Sequence, residues 1–347
     1  MQSEDSTTLH RIARFLPGIA AFLCILTVLP SSADSAPHPL GQLVDLGGHQ
    51  LHVHCSGAGS PVVVVETGLG DFSFDWTLVQ NQVSRFTRIC TYDRAGYAWS
   101  NPGPKPRTFA QLNLELHDAL NKVGQKGPFV LVGHSFGGPV VINFAAAYPQ
   151  DSAGMVLVDS AHQGMRVGVG GKQTIRLGEN AQAREVPPPH EEISAADRLT
   201  AAAADPPGPA KLDPIYKSLP PPDQKLHLWA QALPSINDAE NSQREWSEVY
   251  FAQWLKSSRD GSLGALPLVV LTRAEGGYTQ DLDVPAAQME QERKEGQAAL
   301  TRLSSNSTQV IVPSGHNMNL EAPAAVSYAI HRVVDAVRSH RPLSQER

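Results

Sequence analysis

The chain of 347 residues reads as an α/β protein on a mostly parallel sheet. Three observations lead there. From residue 41 onward, short apolar runs alternate with longer amphipathic stretches. Several of the later runs are continuously apolar, as strands buried on both faces are. A Gly-x-Ser-x-Gly pentapeptide at 133–137 stands between one such run and an amphipathic stretch.

In chain order the expected strands are Leu43 to Leu46, Gln50 to His54, Val62 to Val65, Arg88 to Tyr92, Phe129 to Val132, Met155 to Val158, Leu268 to Leu271 and Gln309 to Val312. Gln50 to His54 differs from its neighbours in alternating polar and apolar residues, the pattern of an edge hairpin. Helices are expected between the strands, notably over Thr108 to Val123, Pro139 to Tyr148 and Ala322 to Arg338. One interval breaks this rhythm. More than a hundred residues separate Val158 from Leu268, far beyond an ordinary connection, so 162–265 is expected to be an inserted unit dividing a core of 34–161 and 266–347. Its first part, Gly164 to Pro222, is rich in Gly, Ala and Pro. Asp223 to Arg259 carries Trp229, Trp246, Tyr250, Phe251 and Trp254 at helical spacings and reads as a helical cap.

Composition narrows the function. A hydrophobic fraction of 41% with 18% charged residues describes a globular chain rather than a disordered or fibrous one. Lys+Arg 28 against Asp+Glu 34 gives 28 − 34 = −6 without a basic cluster, so nucleic acid is not an expected partner. At the N-terminus Arg11 and Arg14 precede an apolar run from Phe15 to Leu29, followed by Pro30 and the small residues Ser31 to Ala33. Residues 1–33 therefore read as a signal peptide, or as an anchor if uncleaved, and the chain as exported, with membrane contact confined to that segment. Two cysteines then remain, Cys55 and Cys90, an even count compatible with a disulfide. His52 and His54 share one strand face, but no Cys/His cluster is present and no metal is expected.

Chemistry centres on Ser135. In Gly133-His134-Ser135-Phe136-Gly137 the serine stands on a sharp strand-to-helix turn, where glycines are needed because side chains would collide across it. His134 is expected only to pack. A serine hydroxyl needs a base to take its proton, and His316, just after the last strand, projects from the same sheet edge. The acid that orients the histidine falls on Asp159, directly at a strand end, or on Glu275, in a turn four residues past Leu271; Asp159 is favoured because the sheet fixes it. Asp281 and Asp283 remain further options. An oxyanion needs two backbone donors, and the expected ones are Phe136 N-H and Leu69 N-H in Glu66-Thr67-Gly68-Leu69-Gly70. Asp93 to Ser100 is expected to brace these loops.

Glu66 to Gly70, Asp93-Arg94-Ala95-Gly96, Gly133 to Gly138, and Gly315-His316 with Glu321 and Pro323 resemble the successive motifs of the α/β-hydrolase family, over Leu40 to about Arg338. The resemblance implies an eight-stranded sheet with one antiparallel strand, a Ser-His-Asp triad, a cap after the sixth strand and no cofactor. Its sheet order also implies that the strand Gln50 to His54 lies beside Arg88 to Tyr92, bringing Cys55 and Cys90 within bonding reach. There are two departures. The family's Asp after the seventh strand has no clear counterpart, with Gly276 near its place, and the oxyanion loop begins Thr67-Gly68 where relatives often carry His-Gly.

The expected function is hydrolysis of a carboxylic ester in a small-molecule acyl substrate through a serine acyl-enzyme. An aminopeptidase or acyltransferase would use the same residues, and a non-catalytic binding protein would be signalled by a missing nucleophile or base. Dehalogenase and epoxide hydrolase chemistry is disfavoured because it needs a carboxylate at the position of Ser135.

Overall fold

Among the described residues the backbone runs through ten strands: β1 (Gln42–Asp45), β2 (Gln50–Ser56), β3 (Val63–Glu66), β4 (Ile89–Tyr92), β5 (Phe129–His134), β6 (Ser152–Val158), β7 (Arg166–Gly168), β8 (Thr174–Arg176), β9 (Leu268–Arg273) and β10 (Ser307–Val312). Eight of them form one sheet in the order β1-β2-β4-β3-β5-β6-β9-β10. Strand β2 is antiparallel to both neighbours and the remaining pairs are parallel. This computed structural model describes residues 36–168, 172–179, 184–194, 211–257, 259–274, 276–278 and 282–343. The expected signal segment, Glu275 and Asp281 lie outside the described residues.

Among the described residues the helices are α1 (Thr77–Val83), α2 (Phe109–Lys122), α3 (Gly137–Ala147), α4 (Pro221–Gln231), α5 (Pro234–Ser257), α6 (Ala286–Leu300), α7 (Met318–Glu321) and α8 (Pro323–Ser339). Thr108 caps α2 by accepting from Gln111 N at 3.1 Å, which satisfies a donor that a helix start leaves open. Alternate residues of the central strands face opposite ways. Leu131, Met155 and Leu157 join Leu116 and Phe144 on one face, while Val130, Val132, Val156 and Val158 meet Val79, Val326, Ile330 and Val333 on the other. Burial on both faces is why these strands read as continuous apolar runs.

The interval between β6 and β9 holds the β7–β8 hairpin, a 3-10 turn over Pro214–Ser218, and α4 and α5. The hairpin was not expected from sequence. Its strands have three residues each, too few for any periodicity to register. Phe251 and Trp254 are buried in a core cluster with the sheet, whereas Trp229 packs on Trp99 with ring centroids 5.2 Å apart. Among the described residues no helix is long and apolar enough to cross a membrane.

Candidate active site

The chain leaves β5 through a turn that only glycine can flank. A Cβ on Gly133 would lie 2.7 Å from Gly137 O and from Gly138 Cα, and one on Gly137 would strike the carbonyl oxygen of Glu66 in the neighbouring strand. Ser135 between them takes φ +50°, a left-handed conformation unfavourable for a residue with a Cβ. The turn is held by Ser135 N donating to Val158 O at 3.1 Å and by Ala161 N donating to Ser135 O at 2.8 Å.

Ser135, His316 and Asp159 come together at the C-terminal edge of the sheet. His316 Nε2 lies 2.9 Å from Ser135 Oγ, and His316 Nδ1 lies 2.6 Å from Asp159 Oδ2. A carboxylate only accepts, so Nδ1 carries the proton and Nε2 is free to accept from the serine hydroxyl. Asp159 follows β6 directly, with φ +37°, and its N-H continues the ladder to Leu271 O at 2.8 Å. The His316 loop is held by Glu321, whose carboxylate accepts from Gly315 N at 2.6 Å and Asn317 N at 3.2 Å. Asp283 is elsewhere, bonded to the Thr174 hydroxyl at 2.7 Å and to Thr174 N at 3.2 Å.

Two arginines that the sequence reading did not single out reach the acid. Arg273 Nη1 donates to Asp159 Oδ2 at 2.6 Å, and Arg293 Nη1 is 3.9 Å from Asp159 Oδ1. Burial works against the Asp159 charge, but His316 and Arg273 outweigh it and hold the carboxyl below its ordinary value. Arg273 is the last residue of β9 and is buried.

His134 does more than pack. Its Nδ1 faces Asp71 Oδ2 at 3.2 Å and its Nε2 faces the His316 carbonyl at 3.0 Å. Both partners are acceptors, so both ring nitrogens are called on to donate, which favours the imidazolium. Burial opposes that charge, yet Asp71 prevails and His134 is raised above an ordinary histidine. Asp71 also accepts from the Tyr216 hydroxyl at 3.2 Å, tying the inserted segment to this network.

Arg94 braces the loop after β3. It donates to Glu66 Oε1 at 2.8 Å, Thr67 O at 2.9 Å and Gly68 O at 2.6 Å. A trans peptide directs its N-H opposite its carbonyl, so anchoring Gly68 O to Arg94 turns Leu69 N-H away from that guanidinium. Among the described residues neither Leu69 N-H nor Phe136 N-H donates to another protein group. Leu69, Ser135 and Phe136 line a cavity of about 510 Å³, with Ala161, Met165, Val167, Ile175, Leu177 and Phe251 as apolar wall and Arg244 and Glu248 as its charged residues.

Away from this cavity, Cys55 and Cys90 oppose each other across β2 and β4 and are joined as a disulfide. His52 commits both ring nitrogens, Nδ1 to Asp93 at 2.7 Å and Nε2 to Gly41 N at 2.9 Å, so it has none for a metal. Among the described residues no three metal-ligating side chains cluster.

The strand order and the serine turn define an α/β protein with a nucleophile-elbow architecture. A family model described as "Alpha/beta hydrolase family" matches residues 50–328, and the chain belongs to that family. An "AB hydrolase superfamily protein" of Gibberella zeae is 34% identical over 104 residues, 29% of this chain and 32% of that protein. The chain spans 19% to 43% of the length of the first curated relatives it matches. Among solved structures, the enol-lactonase from Burkholderia xenovorans LB400 is 16% identical with a TM-score of 0.57, covering 85% of this chain and 100% of that one. A thermophilic esterase from Thermogutta terrifontis is 20% identical with a TM-score of 0.52, covering 83% and 94%. These likenesses concern the fold.

Proposed function

We propose that this protein hydrolyses carboxylic esters through a serine acyl-enzyme. The observation that carries the reading is the hydrogen-bonded series Ser135 Oγ, His316, Asp159, opening on the cavity that Leu69 and Phe136 also line. Ser135 Oγ attacks the ester carbonyl carbon while its proton passes to His316 Nε2, and Asp159 keeps the imidazolium oriented. Negative charge gathers on the former carbonyl oxygen, where Leu69 N-H and Phe136 N-H, without other partners among the described residues, are available as donors. The tetrahedral intermediate collapses, the alcohol departs with the proton from His316, and the acyl group stays on Ser135. Water then attacks that acyl carbon, His316 again taking the proton, and the acid is released.

The apolar wall suits a hydrocarbon acyl group. A serine at the elbow cannot form the alkyl-enzyme ester that epoxide opening and dehalogenation require. We further propose that residues 1–33 direct the chain to an oxidising compartment, a reading supported by the Cys55–Cys90 bridge. Turnover of p-nitrophenyl esters of graded acyl length by wild type and Ser135→Ala tests the reading: hydrolysis by the first and none by the second supports it, and equal rates contradict it.

A further inference from the structure

Arg273, the last residue of β9, puts a fixed positive charge beside the proposed base. Its Nη1 is 2.6 Å from Asp159 Oδ2, the same oxygen that takes His316 Nδ1 at 2.6 Å, and 3.0 Å from Nδ1 itself. Two donors therefore share one acceptor. The contact is built rather than incidental: Arg273 N also reaches Asp159 Oδ1 at 3.4 Å, and Arg293, clamped to Glu290 at 2.6 Å, donates to Arg273 O at 3.0 Å.

A guanidinium does not lose its proton at any pH of interest, so this charge is permanent. In a site with an aspartate and a histidine alone, the whole carboxylate charge favours the imidazolium. Here Arg273 takes part of it. We propose that Arg273 is a positioning residue which, by sharing Asp159 Oδ2 with His316, holds the imidazole neutral and ready to accept a proton in mildly acidic solution.

Every charged group facing His316 must be counted. Asp159 on the β6 end favours its protonation. Arg273 on β9 and His134 on β5, with ring centroids 4.9 Å apart from His316, oppose it. Asp71 stands behind His134 and Arg293 behind Asp159. Burial is the first cause lowering the His316 value, and His134 and Arg273 add to it against Asp159. Arg273 is the contributor that touches both members of the His316–Asp159 pair.

The proposal rests on the serine-hydrolase reading for its purpose, but its test does not need turnover. The imidazole of His316 is titrated by NMR in the full chain, as wild type, Arg273→Gln and Arg273→Lys. Wild type is expected to titrate below the ordinary 6.5. Arg273→Gln is expected to titrate about one pH unit higher than wild type, and Arg273→Lys, which keeps the charge, close to wild type. If the glutamine variant does not fold, Arg273→Met, which preserves the packing of the stem, makes the same comparison. Coincident midpoints for wild type and the neutral variant overturn the proposal, as does a wild-type midpoint at or above 6.5. Where turnover is found, the acid limb of kcat/KM should move with the titration. Absence of turnover in wild type would remove the hydrolase reading while leaving the titration result standing.

Discussion

His316 Nδ1 stands 2.6 Å from Asp159 Oδ2 although 157 residues separate them, and the carboxylate comes from the end of β6 rather than from the loop after β9. The sheet itself positions this acid. Replacing the carboxylate with an amide keeps the shape but presents the wrong hydrogen-bonding group to Nδ1. Asp159→Asn should therefore lower kcat by about 10⁴. Asp283→Asn, whose carboxylate serves Thr174, and Glu275→Gln should leave kcat within about threefold of wild type. Steady-state kinetics on the three variants decide this. A large loss at Glu275 with little at Asp159 would transfer the role.

Arg94 is expected to matter through the loop it holds. Without its bonds to Thr67 O and Gly68 O, the peptide carrying Leu69 N-H is no longer fixed. Arg94→Met alone would also leave Glu66 buried and uncompensated, so the informative variant is Arg94→Met with Glu66→Gln. Its kcat should fall by about 10² with little change in KM, as when one oxyanion donor is misplaced. An unchanged kcat would show that Leu69 N-H does not stabilise the oxyanion.

Stability in acid is expected to depend on Glu115. Burial alone would push this carboxyl up, but Arg107, with Nη2 2.7 Å from Oε2, and His49 hold it at about 2 against an ordinary 4.5. A carboxyl depressed in the folded state contributes stability that is complete above 4.5 and is lost as pH falls from there through about 2. The difference corresponds to roughly 3 kcal/mol. Arg107→Gln strands the buried carboxylate and should destabilise the fold by about 3–5 kcal/mol at neutral pH, read by urea unfolding. Losses under about 1 kcal/mol would show that the pair is not a stabilising contact.

The cysteines give a simple count. The full chain has three, Cys24, Cys55 and Cys90. With Cys55 and Cys90 joined, denatured, unreduced protein should show one free thiol, or none once residues 1–33 are removed. Three free thiols in the full chain would contradict the bridge.

The parts of this architecture legible in the sequence are those set by local pattern. Val130, Val132, Val156 and Val158 lie in continuous apolar runs because helices cover both faces of the sheet, and the Gly133–Gly137 spacing marks the turn because no other residue fits against Glu66 O. Strand ends follow from there, which is why Ser135, Asp159 and His316 could be assigned to one edge. Arg273 and Arg293 were not legible, since their contacts with Asp159 join positions 114 and 134 apart, and nothing local distinguishes a guanidinium that meets a buried acid from one in water. His134 was misjudged for the same reason: its partners Asp71 and His316 are 63 and 182 residues away. In the inserted segment, three-residue strands and a Pro- and Ala-rich stretch carry too little pattern to locate Met165, Ile175 or Leu177 on the cavity wall.

If Ser135 is a nucleophile activated by His316, covalent capture reveals it without knowledge of the substrate. Purified protein is treated with a fluorophosphonate probe and the modified peptide is identified by mass spectrometry, beside Ser135→Ala and His316→Ala controls. One adduct is expected, on Ser135, absent in Ser135→Ala and strongly slowed in His316→Ala. A folded wild-type protein that takes up no probe, or takes it up at another residue, would contradict it.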